Sequence, residues 1–197
     1  MIKVLLFDID GVILHGEHWS KNLKRDYNIS PDQLQTFFRE RFSACLIGEA
    51  DLKIELARYL QKWGWPGSVE DFLRYWFEAE YSLNTELLEA VKQLRQQGIC
   101  CYLATQQERY RTAYLIEKMN FVEAFDGIFS SVYVGYLKDH PGFFLEVLKQ
   151  LEHIQPAEVL FWDDTPKNVT AAREAGLYAE LYTTMGDFYQ KLSTFIK

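Results

Sequence analysis

The first strand-like segment of this chain ends in two negatively charged side chains, and this feature limits what the chain can fold into. Residues 4–7 form a continuous apolar run, and Asp8, Asp10 and Gly11 follow it directly. A short apolar run of this kind, closed by a turn signal, is typical of a strand that a parallel sheet buries on both faces. Because ligands of open parallel sheets bind beyond the carboxyl ends of the strands, the two carboxylates indicate a functional site at the end of a strand over residues 2–7.

From residue 84 onward, strand and helix patterns alternate along the chain. Predicted helices at 87–97, 108–119, 141–151, 165–175 and 187–196 alternate with predicted strands at 99–104, 126–130, 159–162 and 178–182. Alternation of this kind predicts an α/β fold in which helices cover both faces of a parallel sheet.

Residues 16–83 have a different, helical pattern. Ser30, Pro31 and Gln33 predict a helix start, with Ser30 as N-cap, Pro31 at the first helical position and Gln33 closing a capping box. Apolar residues then recur at the helical period over three or four helices, and no strand pattern interrupts them. We therefore predict a core domain of residues 1–15 and 84–197, with a helical domain of residues 16–83 inserted into it.

The composition limits the classes of function. Of the 197 residues 48% are apolar, which suits one good-sized domain with a smaller insertion. The formal net charge of −7 argues against a protein that binds nucleic acid through a broad basic face. It permits a phosphorylated substrate, because a metal and a few cations reverse the field inside one cleft. The composition leaves the oligomeric state open.

The cysteines and the apolar runs bear on the cellular compartment. Cys45, Cys100 and Cys101 are an odd number with two members adjacent, which predicts buried thiols in a reducing compartment rather than disulfides. The N-terminal apolar run is too short for a signal peptide, and no run approaches the ~20 residues that a membrane span needs. We predict a cytoplasmic protein with no membrane contact.

Further polar groups lie at the ends of the other predicted strands. Thr105 and Gln106 follow the strand at 99–104, and an adjacent pair of acids follows the strand at 159–162. Lys138 lies in a predicted loop between these two strands. All of these side chains could converge on one edge of the sheet, where the paired acids are Asp163 and Asp164.

This set of residues has a consistent chemistry. Crowded carboxylates repel one another unless a cation holds them, and a few oxygen ligands with room for water and phosphate suit Mg²⁺. One carboxylate, Asp8, can act as a nucleophile towards phosphorus, and Asp10 can exchange protons with the leaving group and with water. Thr105 can donate to a phosphate oxygen, and Lys138 can neutralise charge during transfer. Each residue alone also fits a solvated turn, loop or helix cap, so the prediction rests on their combination.

The chain resembles the haloacid dehalogenase superfamily in four motifs. The first is an Asp-x-Asp-Gly motif, the second places a Thr or Ser on phosphate, the third contains a lysine, and the fourth contains paired acids. The matching segments are residues 7–12, residues 104–106, Lys138 with Pro141 and Phe144, and residues 161–169. The chain departs from the usual pattern at Gln106, where Asn is common, and at Asp139, where Pro is common.

The resemblance implies a Rossmann-like core and a site that binds Mg²⁺. In this family the first acid of the first motif is the nucleophile and the second is the acid/base. By the same resemblance Thr105, Gln106 and Lys138 would bind phosphate. Mg²⁺ would be held by the Asp8 side chain, the Asp10 carbonyl and Asp164, with Asp163 acting through water or as a second ligand.

The resemblance also favours a particular reaction. Residues 16–83 occupy the position where one subgroup inserts a four-helix cap, which closes over the site and selects substrate. The dehalogenases of the family lack the second acid of the first motif, so Asp10 favours hydrolysis of a phosphate ester over dehalogenation. We therefore predict a Mg²⁺-dependent phosphatase acting on a small phosphorylated metabolite, such as a sugar phosphate, through an aspartyl-phosphate. The alternatives are a phosphomutase and a non-catalytic binding protein of the same fold.

Two further groups of residues have more than one interpretation. His15 and His18 follow the first motif and could meet substrate, but a polar hinge at the start of the cap is the preferred interpretation. Trp63, Trp65 and Trp76 could stack on a sugar or base, but aromatic residues at helical spacing more often form the core of a small domain.

Overall fold

The fold is built on a five-stranded parallel sheet. The computed structural model describes residues 1–16, 19–78, 82–119 and 121–196. The strands are β1 (Val4–Phe7), β4 (Cys100–Thr105), β5 (Gly127–Ser130), β6 (Val159–Asp163) and β7 (Tyr178–Leu181). Their order across the sheet is β5-β4-β1-β6-β7. Phe7 at the end of β1 pairs in register with Leu103 on one side and Trp162 on the other. The predicted parallel α/β sheet is confirmed.

Helices cover both faces of this sheet, as predicted. One face carries α6 (Thr85–Gln96), α7 (Arg109–Glu117), α8 (Phe121–Ala124) and α12 (Met185–Phe195), and the other carries α9 (Ser131–Val134), α10 (Pro141–Gln150) and α11 (Pro166–Glu174). In β1, Leu5 and Phe7 pack into the first hydrophobic cluster, whereas Val4 and Leu6 pack into the second. Successive side chains of a strand point to opposite faces, so an unbroken apolar strand supplies two cores at once.

A third hydrophobic cluster belongs to the helices between residues 19 and 77. These helices are α1 (Ser20–Tyr27), α2 (Pro31–Glu40), α3 (Phe42–Leu46), α4 (Leu52–Trp63) and α5 (Val69–Phe77). The predicted start of α2 is confirmed, because the Gln33 side chain accepts a hydrogen bond from the Ser30 N–H at 2.8 Å. Phe37, Leu56 and Phe72 are fully buried at the centre of this cluster. The division of the chain into a core domain and a cap domain stays a prediction.

Two very short strands flank the helical segment and were not predicted. Strand β2 (Leu14–His15) pairs antiparallel with β3 (Ser82–Leu83). Asn84 reinforces this crossing, because its backbone N–H donates to the Ile13 carbonyl at 2.9 Å and its side chain donates to the Val12 carbonyl at 3.1 Å. Two-residue strands carry no measurable alternation, so only the tertiary contact between them defines them.

The cysteines and the helix lengths test two further expectations. Cys45 and Cys101 are buried, but Cys100 is exposed, so the prediction of buried thiols is wrong for that residue. Cys100 begins the strand β4 and lies outside the apolar clusters, whereas Cys101 points into the first one.

Within the described ranges, no helix combines the length and apolar character needed to cross a bilayer. The cytoplasmic location stays a prediction.

Candidate active site

The sequence-predicted site residues meet at the carboxyl ends of three neighbouring strands. Asp8 directly follows the central strand β1, Thr105 ends β4, and Asp163 ends β6. The Asp8 N–H donates to the Trp162 carbonyl at 2.9 Å, which holds the end of β1 against β6. Asp8, Thr105 and Asp163 are all buried, so the sheet edge carries polar groups that water does not solvate fully.

Lys138 is the buried cation of this cluster. Its side chain is 2% exposed, and its Nζ contacts Asp8 Oδ1 and lies 2.7 Å from Asp163 Oδ2. The Lys138 N–H donates to Gln106 Oε1 at 3.1 Å, so the loop before α10 is fixed to the loop after β4. A lysine is almost never fully buried unless it is paired, and two carboxylates pair this one.

The two adjacent acids after β6 have different surroundings. Asp163 is fully buried and accepts hydrogen bonds from Lys138, from the Thr165 N–H at 2.8 Å and from the Asn168 side chain at 3.0 and 3.1 Å. Asp164 is more exposed and accepts only the Thr165 hydroxyl at 3.2 Å among the bonds described. Asp163 therefore anchors the lysine, whereas the Asp164 carboxylate keeps its coordinating capacity.

Asp10 faces the cleft from the first loop. It is exposed, and its Oδ2 accepts a hydrogen bond from Gln107 Nε2 at 2.5 Å. The sequence predictions did not include Gln107, and they gave Asn168 no role although it lies in the fourth motif. Asn168 binds Asp163 from five residues further along the chain, and that short spacing within the fourth motif was an available signal. Gln107 is 97 residues from Asp10 in the chain, so no local spacing could have indicated it.

Burial and repulsion act on the ionisation of the cluster. Burial raises the pKa of Asp8 to about 8; the adjacent Lys138 ammonium opposes this, and the negative charges of Asp163 and Asp10 add to it. Burial and the neighbouring Asp163 also raise the pKa of Asp164. Burial disfavours the charged form of Lys138, but the Asp8 and Asp163 carboxylates outweigh it and raise the pKa of the ammonium. The cluster holds excess negative charge in a poorly solvated place.

The acids of the cluster fit a divalent cation. Asp8, Asp163 and Asp164 each offer a carboxylate oxygen, and these oxygens lie within 4.8 Å of one another, the one such group found among the described residues. An all-oxygen donor set beside an open cavity suits Mg²⁺, which keeps several waters and binds one or two carboxylates. His140 belongs to no such group and instead caps α10, where its Nδ1 accepts from the Gly142 N–H at 2.9 Å.

A cavity of about 480 Å³ opens onto the cluster. Thr105 lines it, and the Thr105 hydroxyl is buried without a hydrogen-bond partner among the described residues. An unpartnered buried hydroxyl is costly, so its presence at the wall of a polar cavity indicates a ligand with hydrogen-bonding oxygens. The other lining residues include Asp8, Asp10, Gln106, Lys138 and Asp164.

The two histidines near the first motif differ in what can be said of them. His15 is exposed, pairs with Ser82 in the β2–β3 crossing and lines a second cavity beside Asp10. His15 therefore has access to the cleft, and its interpretation as a hinge residue stays a prediction. His18 lies outside the described residues.

Comparison with known proteins identifies the family. Residues 2–176 match the family model for haloacid dehalogenase-like hydrolases, which covers most of the chain. This chain is a haloacid dehalogenase-like hydrolase. The resemblance predicted from the four motifs is thus confirmed.

Relatives of this hydrolase show the range of proteins that share its fold. A HAD family enzyme from Bacteroides thetaiotaomicron, solved with magnesium and inorganic phosphate, superposes with a TM-score of 0.79 at 21% identity over 94% of this chain and 96% of that one. The L-2-haloacid dehalogenase from Xanthobacter autotrophicus superposes with a TM-score of 0.68 at 17% identity over 98% and 83% of the two chains.

One relative of the hydrolase is closer in sequence. A sesquiterpene phosphatase from Aspergillus oryzae is 32% identical over 94 residues, which are 48% of this chain and 47% of the fungal protein. The match therefore spans about half the length of that relative.

Proposed function

We propose that this hydrolase is a Mg²⁺-dependent phosphatase that cleaves small phosphomonoesters. The observation that carries the proposal is the Thr105 hydroxyl, buried without a partner among the described residues, in a cavity that Asp8 and Lys138 also line. A donor, a cation and a nucleophilic carboxylate around one cavity suit a tetrahedral anion. The phosphatase from Aspergillus oryzae and the phosphate-bound enzyme from Bacteroides thetaiotaomicron support the same reaction class.

The metal would be held by the Asp8 side chain, the Asp10 carbonyl and Asp164. Asp163 is the weaker candidate for direct ligation, because Lys138, Asn168 and the Thr165 N–H already use its oxygens. When bound, Mg²⁺ would offset the repulsion among the acids and withdraw negative charge from the phosphoryl oxygens.

The first chemical step transfers the phosphoryl group to the protein. An Asp8 carboxylate oxygen attacks phosphorus, the bond from phosphorus to the ester oxygen breaks, and Asp10 gives its proton to that oxygen. Lys138 lies against the Asp8 carboxylate and is placed to neutralise the transferring oxygens. The products are the free alcohol and an aspartyl-phosphate on Asp8.

The second step returns the protein to its starting state. Asp10, now ionised, takes a proton from a water molecule, whose oxygen attacks phosphorus and displaces the Asp8 carboxylate. Gln107 holds the Asp10 side chain through its 2.5 Å hydrogen bond and so keeps the proton carrier oriented in both steps. Thr105 and Gln106 would hold the remaining phosphoryl oxygens. Residues 16–83 would act as a cap that limits access of water and of unsuitable substrates.

The test is release of inorganic phosphate from a panel of phosphomonoesters, with Mg²⁺, with EDTA and with the Asp8→Asn variant. We expect release that requires Mg²⁺ and that Asp8→Asn lowers by about 1000-fold or more. The matched control is Asp32→Asn, which changes an exposed aspartate on α2 and should retain activity. Equal phosphate release by wild type and Asp8→Asn would exclude the mechanism. Isomerisation of a sugar phosphate without release would identify a phosphomutase instead.

A further inference from the structure

A second cavity adjoins the cavity at the acid cluster and has a different chemical character. It also measures about 480 Å³, and the two cavities share Asp10, Gly11 and Gln106 in their linings. Asp10 is the residue proposed to protonate the leaving oxygen. The second cavity therefore lies where the alcohol part of a phosphomonoester would be placed.

Four aromatic rings from the helical segment line this second cavity. Trp19 and Trp76 stack with their ring centroids 4.8 Å apart and an angle of 27° between the ring planes. The ring centroids of Phe38 and Phe42 each lie 5.5 Å from the ring centroid of Trp76. We call these four residues the aromatic wall.

The aromatic wall forms the cavity-facing side of the core of the helical segment, with Trp19 buried in that core and the other three rings packed against it. Trp63 and Trp65 are buried within that core, which agrees with the preferred interpretation of the tryptophans from sequence. Phe38, Phe42 and Trp76 are only half-buried and line the cavity, so for Trp76 that interpretation is incomplete. Large aromatic groups that stay partly exposed in a concave surface beside a reactive site favour an apolar ligand there.

Of the polar side chains that line this cavity, those of Arg111 and Gln107 already bind within the protein, whereas the exposed His15 lies at the β2–β3 crossing. Arg111 Nη1 donates to the Phe77 carbonyl at 2.8 Å, and its guanidinium lies over the Phe77 and Tyr114 rings. Gln107 donates to Asp10. The aromatic wall supplies no hydrogen-bond acceptor, since an indole N–H only donates and a phenylalanine side chain has neither a donor nor an acceptor. A polyol would lose hydrogen bonds to water on this wall without replacing them, whereas an apolar group would gain contact.

We infer that the preferred substrates are monophosphates of apolar alcohols with flat or unsaturated carbon skeletons, aryl-methyl or prenyl in type. The inference rests on the proposed phosphatase function and adds the chemical class of its leaving group. The volume of the second cavity suits an organic group of this kind. Contact with the aromatic wall should raise kcat/KM roughly 10- to 100-fold over an ester too small to reach the wall.

The experiment compares kcat/KM for naphthylmethyl phosphate, geranyl phosphate, glucose 6-phosphate and ethyl phosphate. All four release ordinary alcohols, so acidity of the leaving group does not separate them. We expect one or both apolar esters to exceed ethyl phosphate about 10-fold or more, and glucose 6-phosphate to show no such gain. The two apolar arms distinguish an aryl from a prenyl source. A preference for glucose 6-phosphate, or no preference at all, would overturn the inference.

Variants of the aromatic wall locate the preference in the structure. Trp76→Ala and, separately, Phe42→Ala should lower the ratio of kcat/KM for the best apolar ester to that for ethyl phosphate by about 5-fold or more. The matched control is Tyr27→Ala. The Tyr27 ring packs on Trp65 in the helical segment, with ring centroids 4.4 Å apart, but does not line the cavity. Circular dichroism establishes that each variant is folded. An unchanged ratio in both folded wall variants would overturn the inference.

A binding measurement separates failure of this inference from failure of the proposed function. Calorimetry with naphthylmethylphosphonate, geranylphosphonate and ethylphosphonate, which are not hydrolysed, needs no turnover. One possible outcome is that either apolar phosphonate binds about 10-fold or more tighter than ethylphosphonate, that Trp76→Ala weakens this binding, and that no ester releases phosphate. This outcome would reject the phosphatase and keep the apolar site. Asp8-dependent release without either preference would keep the phosphatase and reject the apolar site.

Discussion

The backbone of Gly11 lies directly against the carboxylate of Asp164. A Cβ placed on Gly11 would lie 2.0 Å from Asp164 Oδ2, and the φ angle of Gly11 is +87°. The turn after β1 therefore needs glycine for two independent reasons, its left-handed backbone and the space that Asp164 occupies. The glycine of the first motif and an acid of the fourth motif are thus packed as one unit.

The Gly11→Ala substitution should impair the proposed metal site more than it impairs folding. The methyl group would displace Asp164, so we expect the affinity for Mg²⁺, measured by calorimetry, to fall about 10-fold or more. The matched control is Gly98→Ala, which has a similar φ of +85° but meets no atom within 4 Å. Both variants should lose about 1 kcal/mol of stability from the backbone, and equal Mg²⁺ affinity in the two would contradict the assignment of Asp164.

Loss of Lys138 should destabilise the protein, because it leaves the buried Asp8 and Asp163 carboxylates without their cation. For Lys138→Met we expect the free energy of unfolding in urea at neutral pH to fall by about 3–5 kcal/mol without metal. Added Mg²⁺ should restore part of this loss by supplying positive charge to the same acids. The control Lys149→Met removes an exposed lysine paired with Glu146 and should cost less than about 1 kcal/mol. Similar losses in both lysine variants would show that the buried cluster does not depend on its cation.

The Asp10→Asn variant should separate the two proposed steps. The phenolate of an activated aryl phosphate leaves with little need of a proton, so Asp8 can still accept the phosphoryl group. Hydrolysis of the aspartyl-phosphate does need Asp10, because the attacking water must lose a proton. We expect a stoichiometric burst of the phenol followed by slow turnover, with a protein mass increased by one phosphoryl group. The Asp8→Asn variant provides the control without a burst, and steady turnover by Asp10→Asn at the wild-type rate would remove Asp10 from the mechanism.

Glu108 should make folding stability depend on pH. Burial raises the pKa of Glu108 to about 7 in the folded protein, although its carboxylate accepts the Tyr110 and Arg111 N–H groups. The folded state then binds more protons than the unfolded chain between the ordinary glutamate pKa and about 7. The free energy of unfolding should therefore fall as pH rises through this window, and this loss should be complete above it.

The Glu108→Gln variant isolates this contribution. Glutamine resembles the protonated acid and cannot ionise, so the decline in unfolding free energy between about pH 5 and 7 should become shallower than in wild type. Chemical denaturation at several pH values measures the difference. An identical slope in the two proteins would show that Glu108 ionises at its ordinary pKa.

Much of the fold followed from local sequence patterns. The apolar runs at β1, β4 and β6 predicted strands, and the polar residues that end them predicted where Asp8, Thr105 and Asp163 would lie. These predictions worked because periodicity and turn residues act between neighbours in the chain. The strands β2 and β3 escaped prediction, because two residues carry no period and their pairing joins distant segments.

The sequence by itself determined the sheet, the four motifs and the family of this hydrolase. Only the tertiary structure decided that Lys138 is buried between Asp8 and Asp163. It also decided that Asn168 binds Asp163, so that Asp164 is the acid with fewer partners. Finally, it decided that Trp76 faces a cavity while Trp63 lies in a core. The physical reason is that charge pairing, desolvation and the direction of a helix face arise from contacts between residues far apart in the chain. Local patterns place a residue on an element, and packing of the elements decides what it meets.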